Sequence, residues 1–328
     1  MLSTKPTFLS FDGASLLSHC CIYHNGDSKS VGLIPVIHIG NSTYFRKLVE
    51  YAGNRPTVFE YMKFVSPDQD KTISIKNFED FMEVNASTTE NFYNTYKKRL
   101  NNFYKKNFTK DMKELWKLVK KEVKNSDNKI KQIYDLSEKT RFTVQSLTPI
   151  QLYWAEIMNL SHQFIAIDYE NDILRRSNWI ITDLDMGKLM GDVDTHELLK
   201  NILTEPSKEV LNEVLKEINI ILSSILGTVE LANLPNVSQR RERLATWLMA
   251  SISQQYKIIE DVSPEYMLNM RNNMVENTIL EILEENDEVM VFFGATHMIG
   301  IEKFLTENGF TFKGEEQFKV FDINDDDY

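Results

Sequence analysis

From Val289 to Phe293 the chain reads Val-Met-Val-Phe-Phe without a polar residue, directly after the charged stretch from Glu284 to Glu288. Such a run, closed by Gly294, predicts a strand buried on both faces. A turn carrying His297 and an amphipathic helix with Ile301, Phe304 and Leu305 on its apolar side should follow. Two β-type runs, 15–23 and 31–39, flank Asn25-Gly26-Asp27, a hairpin signal because Asn-Gly accepts the positive φ that tight hairpin turns need. Pro35 in the second run removes a backbone donor, which predicts an edge strand or a bend. Ser42 then caps a helix with Phe45, Leu48, Val49 and Ala52 on one face, and Gly53-Asn54-Arg55-Pro56 ends it. A third strand, 57–62, carries Glu60, and the order strand, helix, strand predicts a right-handed parallel crossover from the His38 strand to the Glu60 strand.

Between residues 63 and 146 the pattern changes to helical spacing, with Phe92, Tyr96, Leu100 and Phe103, then Met112, Leu115, Trp116 and Val119. This stretch is expected to be a helical insertion or lid. Thr148-Pro149 starts a further helix with Leu152, Ile157, Leu160 and Phe164 among its apolar positions, and three more are expected over 207–226, 238–259 and 264–283. Residues 311–321 supply the final β structure. The fold class is therefore α/β: one domain over 1–328, with a central β-sheet built from both ends of the chain, flanked by helices and interrupted by the 63–146 insertion.

The chain of 328 residues is 42% hydrophobic with a net charge of -11, enough apolar residue for a sizeable core and a charge that repels nucleic-acid backbones and anionic membranes. The lysines at 97, 98, 105, 106, 117, 120, 121 and 124 are interleaved with Asp111, Glu114 and Glu122, which reads as a solvated helix face. Only two cysteines occur, and Cys20 and Cys21 are adjacent, so no disulfide can join distant segments. The N-terminus lacks the apolar core of a secretory signal and no run is long enough for a membrane span, so a cytoplasmic protein is expected.

Gly-rich phosphate loops, Gly-x-Ser-x-Gly elbows and His-Glu-x-x-His helices are absent. What remains is a set of four features: Pro35-Val-Ile-His38-Ile-Gly40, Val58-Phe-Glu60, Arg271-Asn272 opening a helix, and Gly294-Ala-Thr-His297. In this order they resemble the TraB/GumN/Tiki superfamily, whose members carry paired Gly-x-x-His motifs near the two ends of the domain and a glutamate one strand after the first. The run from Gln163 to Tyr169, followed by Trp179 to Leu184, is similar to the mid-domain segment of bacterial members. The resemblance covers roughly residues 30–320 and matches poorly over 63–146; Pro35 stands where the family has glycine.

The resemblance implies a metal-dependent hydrolase of the Tiki peptidase type, with His38, His297 and Glu60 as ligands of Mn, Co or Zn, Glu60 as ligand or general base, and a peptide or small-molecule substrate. Two imidazoles and a carboxylate are a common ligand set for a hydrolytic ion. More distant relatives, similar to erythromycin esterase, imply hydrolysis by His and Glu without metal; a protein that keeps the fold but only sequesters a peptide or small ligand is the rival reading, and haem or iron binding, as in lipoproteins of related fold, is a third. Arg271 is a candidate to bind a carboxylate or an oxyanion, or else to pair with a nearby acid. Asp168, Asp183 and Asn272 are candidates to orient the histidines, capping being the other role open to the two aspartates. His19, Cys20, Cys21 and His24 look like a metal tract, but adjacent strand residues point to opposite faces.

Overall fold

The computed structural model describes residues 7–26, 28–60, 76–140, 147–182, 203–260 and 266–324. In chain order its strands are β1 (Leu9–Phe11), β2 (Ser15–Asn25), β3 (Lys29–Val36), β4 (Ile39–Gly40), β5 (Thr57–Phe59), β6 (Ser161–His162), β7 (Trp179–Ile181), β8 (Glu288–Gly294) and β9 (Thr311–Asp322). The helices are α1 (Ser42–Ala52), α2 (Phe78–Asn107), α3 (Lys110–Lys124), α4 (Asn128–Thr140), α5 (Leu147–Ile157), α6 (Gln163–Ala166), α7 (Lys208–Asn233), α8 (Val237–Glu260), α9 (Tyr266–Glu285) and α10 (Met298–Glu307). Among these elements no helix is long and apolar enough to cross a membrane.

The chain divides into two compact units, one of residues Met1–Lys63, Met158–Asp185 and Asn236–Tyr328, the other of Phe64–Ile157 and Met186–Pro235. The first holds the sheet. Its strands follow the path β1-β2-β3-β8-β5-β7, with β9 laid antiparallel along β2, so the two ends of the chain meet in one mixed sheet. The hairpin forms where Asn-Gly allows it: Gly26 takes φ 64° and Asn25 pairs with Lys29. β3, β8, β5 and β7 are parallel. β8 lies inside this set, and Val289, Val291, Phe292 and Phe293 are fully buried with Met290 at 1% exposure. Each of these buried side chains contributes about 1.5–3 kcal/mol of hydrophobic stabilisation.

Pro35 is not on an edge strand, and β3 is not interrupted by it. Its Cα pairs with Phe293 of β8, while its carbonyl accepts the hydroxyls of Ser18 (2.7 Å) and Tyr44 (3.1 Å) on the other side. In a strand the N–H and C=O of one residue face the same way, so the missing donor falls on the β2 side. There the β2–β3 register has ended at Leu33, and the same edge of β2 is taken by β1, with His19 N–H donating to Phe8 O at 3.0 Å. No ladder bond is lost. The crossover from β3 through α1 to β5 spans β8, which inserts between the two.

Helix α5 ends at Ile157, so Leu160 and Phe164 lie outside it; Asn159 turns the chain at φ 52°. Arg241 of α8, 2% exposed, fixes this turn by donating to Met158 O (3.0 Å) and Asn159 O (3.3 Å), and reaches Asp322 O (2.8 Å) at the end of β9.

The second unit is helical and takes in more of the chain than the 63–146 stretch: α5 and α7 share one core with α2, α3 and α4, built on Phe81, Tyr96, Phe103, Val119, Ile133, Ile218 and Ile225. Asn77, Thr109 and Ser207 cap α2, α3 and α7 through their side chains, and Trp154 Nε1 donates to Thr228 Oγ1 at 2.8 Å, tying α5 to α7. The lysines named above are exposed on α2 and α3, some paired as in Lys121–Glu122.

Cys20 and Cys21 are wholly buried and unpaired. Burial, the largest influence on both thiols, pushes Cys20 well up and Cys21 up to about 12. Neither should exist as thiolate near neutrality. A chromogenic disulfide reagent at pH 8 is expected to titrate no thiol in the native protein and two after denaturation.

Candidate active site

The parallel strands β3, β8 and β5 all deliver their carboxyl ends to one side of the sheet, with Val36 opposite Gly294 and Phe59 opposite Phe292. Open parallel sheets gather functional groups there because backbone and side chains emerge together at the strand ends. The residue after β5 is Glu60, two beyond β3 is His38, and three beyond β8 is His297. A side-chain carbon built on Gly294 would lie 3.1 Å from Glu60 Oε2, 3.8 Å from His38 Nε2 and 3.8 Å from His297 Cδ2. Three residues from distant parts of the sequence therefore converge on the one position that carries no side chain.

Glu60 is the hub. Its Oε1 pairs with Arg271 Nη2, its Oε2 accepts the Gly294 N–H, and His297 Nε2 lies 3.8 Å from Oε1. The Glu60 and Arg271 side chains are only 12% and 13% exposed. Burial by itself would raise the Glu60 carboxyl; the charge of Arg271 first, then the imidazoles of His297 and His38, which attract it where they are protonated, and the Gly294 N–H overcome it and bring the group down to about 2. Burial brings His297 down to about 4, against the opposing pull of Glu60. At neutral pH the site thus presents a carboxylate and a neutral imidazole.

Each histidine is oriented from behind by an amide. His297 Nδ1 meets Asn272 Oδ1 at 2.7 Å, and His38 Nδ1 meets Gln163 Oε1 at 2.8 Å, while Gln163 N–H donates to His38 O at 2.8 Å. An amide oxygen only accepts, so each Nδ1 carries a proton, and the neutral His297 ring keeps its lone pair on Nε2. Gln163 reaches His38 because β4 and β6 pair antiparallel, Ile39 against His162. His162, buried and kept well below the ordinary imidazole range by burial, stacks against His38 at 6.3 Å between ring centroids.

His38, Glu60, His297, Arg271 and Asn272 are thus brought together. Arg271 lies in the second turn of α9, not at its opening. Asp168 is not among them. It is exposed and caps a π-helical turn, accepting from Asn171 N (3.1 Å) and Nδ2 (2.6 Å), and the two Nδ1 positions are held by Asn272, as expected of it, and by Gln163. Asp183 lies outside the described residues. Gln163 was not singled out from the sequence; an amide has no titration or ligand signature, and the partner is 125 residues away. Gly300 was likewise passed over: a Cβ there would overlap Asn272 Nδ2, so the bare backbone of α10 lets Asn272 reach His297.

Among the described residues no group of three or more His, Cys, Asp or Glu side chains is ready-made to hold a metal ion. The donor chemistry of the cluster nonetheless fits one: two Nε2 atoms, each on a ring anchored through Nδ1 as metal-ligating imidazoles are, and a carboxylate whose oxygens each accept more than one bond. Compared with protein-family models, with curated proteins and with solved structures, the chain matches none.

Proposed function

We propose that this chain is a hydrolase of the TraB/GumN/Tiki type, acting on a peptide bond with a divalent cation, Mn, Co or Zn, held by His38, His297 and Glu60. The observation that carries the reading is the convergence of His38, Glu60 and His297 on Gly294, with both Nδ1 atoms tied to amides. When bound, such an ion polarises a carbonyl and lowers the pKa of water to about 7. Gln163 and Asn272 hold both rings through Nδ1 and leave each Nε2 facing the site. Arg271 holds Oε1 of Glu60 and fixes the carboxylate plane, and Oε2, which accepts the Gly294 N–H, keeps a second lone pair for an ion. Glycine at 294 keeps open the space where a substrate carbonyl approaches. Pro35 is absorbed by the β3 ladder and its hydroxyl partners, so it supplies no steric reason for inactivity. The two buried free thiols suit a reducing compartment, and we place the protein in the cytoplasm.

A metal-free variant of the same chemistry draws support from the engagement of both Glu60 oxygens by Arg271 and Gly294. Metal content and Mn, Co and Zn affinity of the purified protein separate the two. Stoichiometric binding, weakened at least about 10-fold in both His297→Ala and Glu60→Ala, is the expected result and leads to a peptide-substrate screen. Absence of binding, with peptide hydrolysis retained, selects the metal-free variant. Absence of both leaves a ligand-sequestering protein.

A further inference from the structure

One of the two histidines of the apparent metal tract on β2, His19, is committed elsewhere. His19 Nε2 lies 2.6 Å from Ser10 Oγ, and His19 Nδ1 lies 3.1 Å from Glu315 Oε1. We propose that Ser10, His19 and Glu315 form a serine nucleophile site for carboxylic esters, separate from the His38 cluster.

The argument rests on connectivity. With its Nδ1 proton donated to the Glu315 carboxylate, His19 turns the Nε2 lone pair to the Ser10 hydroxyl, which is the assignment of roles that activates a serine. The sheet produces this arrangement: β1 and β9 flank β2, with Ser10 opposite Leu17, Gln317 opposite His19, and Glu315 opposite Cys21. Ser10 and Glu315 are diagonal neighbours of His19 on the two sides, within the reach that cross-strand diagonals allow. Gln317 Nε2 donates to Glu315 Oε1 at 3.3 Å and steadies it. His19 is nearly buried, with 6% of its side chain exposed, against 33% for Glu315, and Ser10 is half-buried, so the imidazole is fixed while the hydroxyl can be reached. The register bonds Phe8 to His19 and Asp12 to Ser15, which leaves the Phe11 N–H out of the β1–β2 ladder. The residue after a nucleophile is a usual oxyanion donor.

In the reaction, Ser10 Oγ bonds to the ester carbonyl carbon as its proton passes to His19 Nε2. The C–O bond to the alcohol then breaks, and the alcohol leaves with that proton. Water, losing a proton to His19, adds to the acyl-serine; the carboxylic acid departs and Ser10 regains its proton. The balance is ester plus water to acid plus alcohol.

A fluorophosphonate probe, read by intact mass and peptide mapping on the full chain, tests the site. One adduct on Ser10 is expected, absent in Ser10→Ala and formed at least about 100-fold more slowly in His19→Asn. Glu315→Gln, on an exposed strand position, should slow labelling without unfolding the chain and guards against a folding defect in the histidine variant. No adduct on the folded parent, an adduct elsewhere, or labelling indifferent to both His19→Asn and Glu315→Gln would overturn the proposal.

Discussion

Arg271→Leu is expected to destabilise the sheet unit by about 3–5 kcal/mol, because it strands the Glu60 carboxylate with little solvent access and without its cation. An exposed pair would be worth no more than about 1 kcal/mol, so the size of the loss reports burial. Linkage points the same way. A carboxyl held near 2 rather than its ordinary 4.5 contributes about 3 kcal/mol. That contribution is fully present above pH about 4.5 and is lost as pH falls through 2, since protonation of the folded state removes the attraction. The deficit of Arg271→Leu should therefore be largest at neutral pH and shrink on acidification. Hydrogen exchange at the β5 and β8 amides reads the effect in this unit alone. The double variant Glu60→Leu with Arg271→Leu should recover part of the loss, the remainder being the Gly294 N–H left without its acceptor, at about 1–3 kcal/mol. A loss below 1 kcal/mol for Arg271→Leu would mean that water screens the pair and that Glu60 is free to turn.

The convergence of His38, Glu60 and His297 was legible in the sequence because each follows an apolar run by one to three residues, and parallel strands put such positions on a common side. Periodicity gives the face that a helix buries but not its partner. The apolar stripes of α5 and α7 were visible, while their membership of the helical unit depends on packing against α2, α3 and α4. Pro35 was misjudged for a related reason: the rule that proline avoids interior strands assumes that both ladders continue, and at this position β1 has replaced β3 along β2. Of the two amides behind the histidines, Asn272 was among the candidates because it follows Arg271, while Gln163 left no trace. Gln163 and Asn272 carry no charge, and their contacts join segments 125 and 25 residues apart.

Gly300→Ala tests whether that hidden layer sets the chemistry. An alanine Cβ would overlap Asn272 Nδ2, and α9 and α10 are packed helices whose backbones yield little. The short Asn272 side chain must therefore swing, which breaks its 2.7 Å contact with His297 Nδ1. Without the acceptor, His297 loses the reason to carry its proton on Nδ1, and imidazole nitrogen NMR should show the Nδ1–H form giving way to a mixture of tautomers. Metal affinity or turnover should fall by about 10–100-fold, the usual cost of losing the group behind a ligating histidine, while thermal stability changes far less than in Arg271→Leu. Gly314→Ala is the matched control, since a Cβ there meets nothing within 4 Å. An unchanged tautomer in Gly300→Ala would show that His297 is held by Glu60 and the surrounding packing alone, and would remove Asn272 from the account of how the site is oriented.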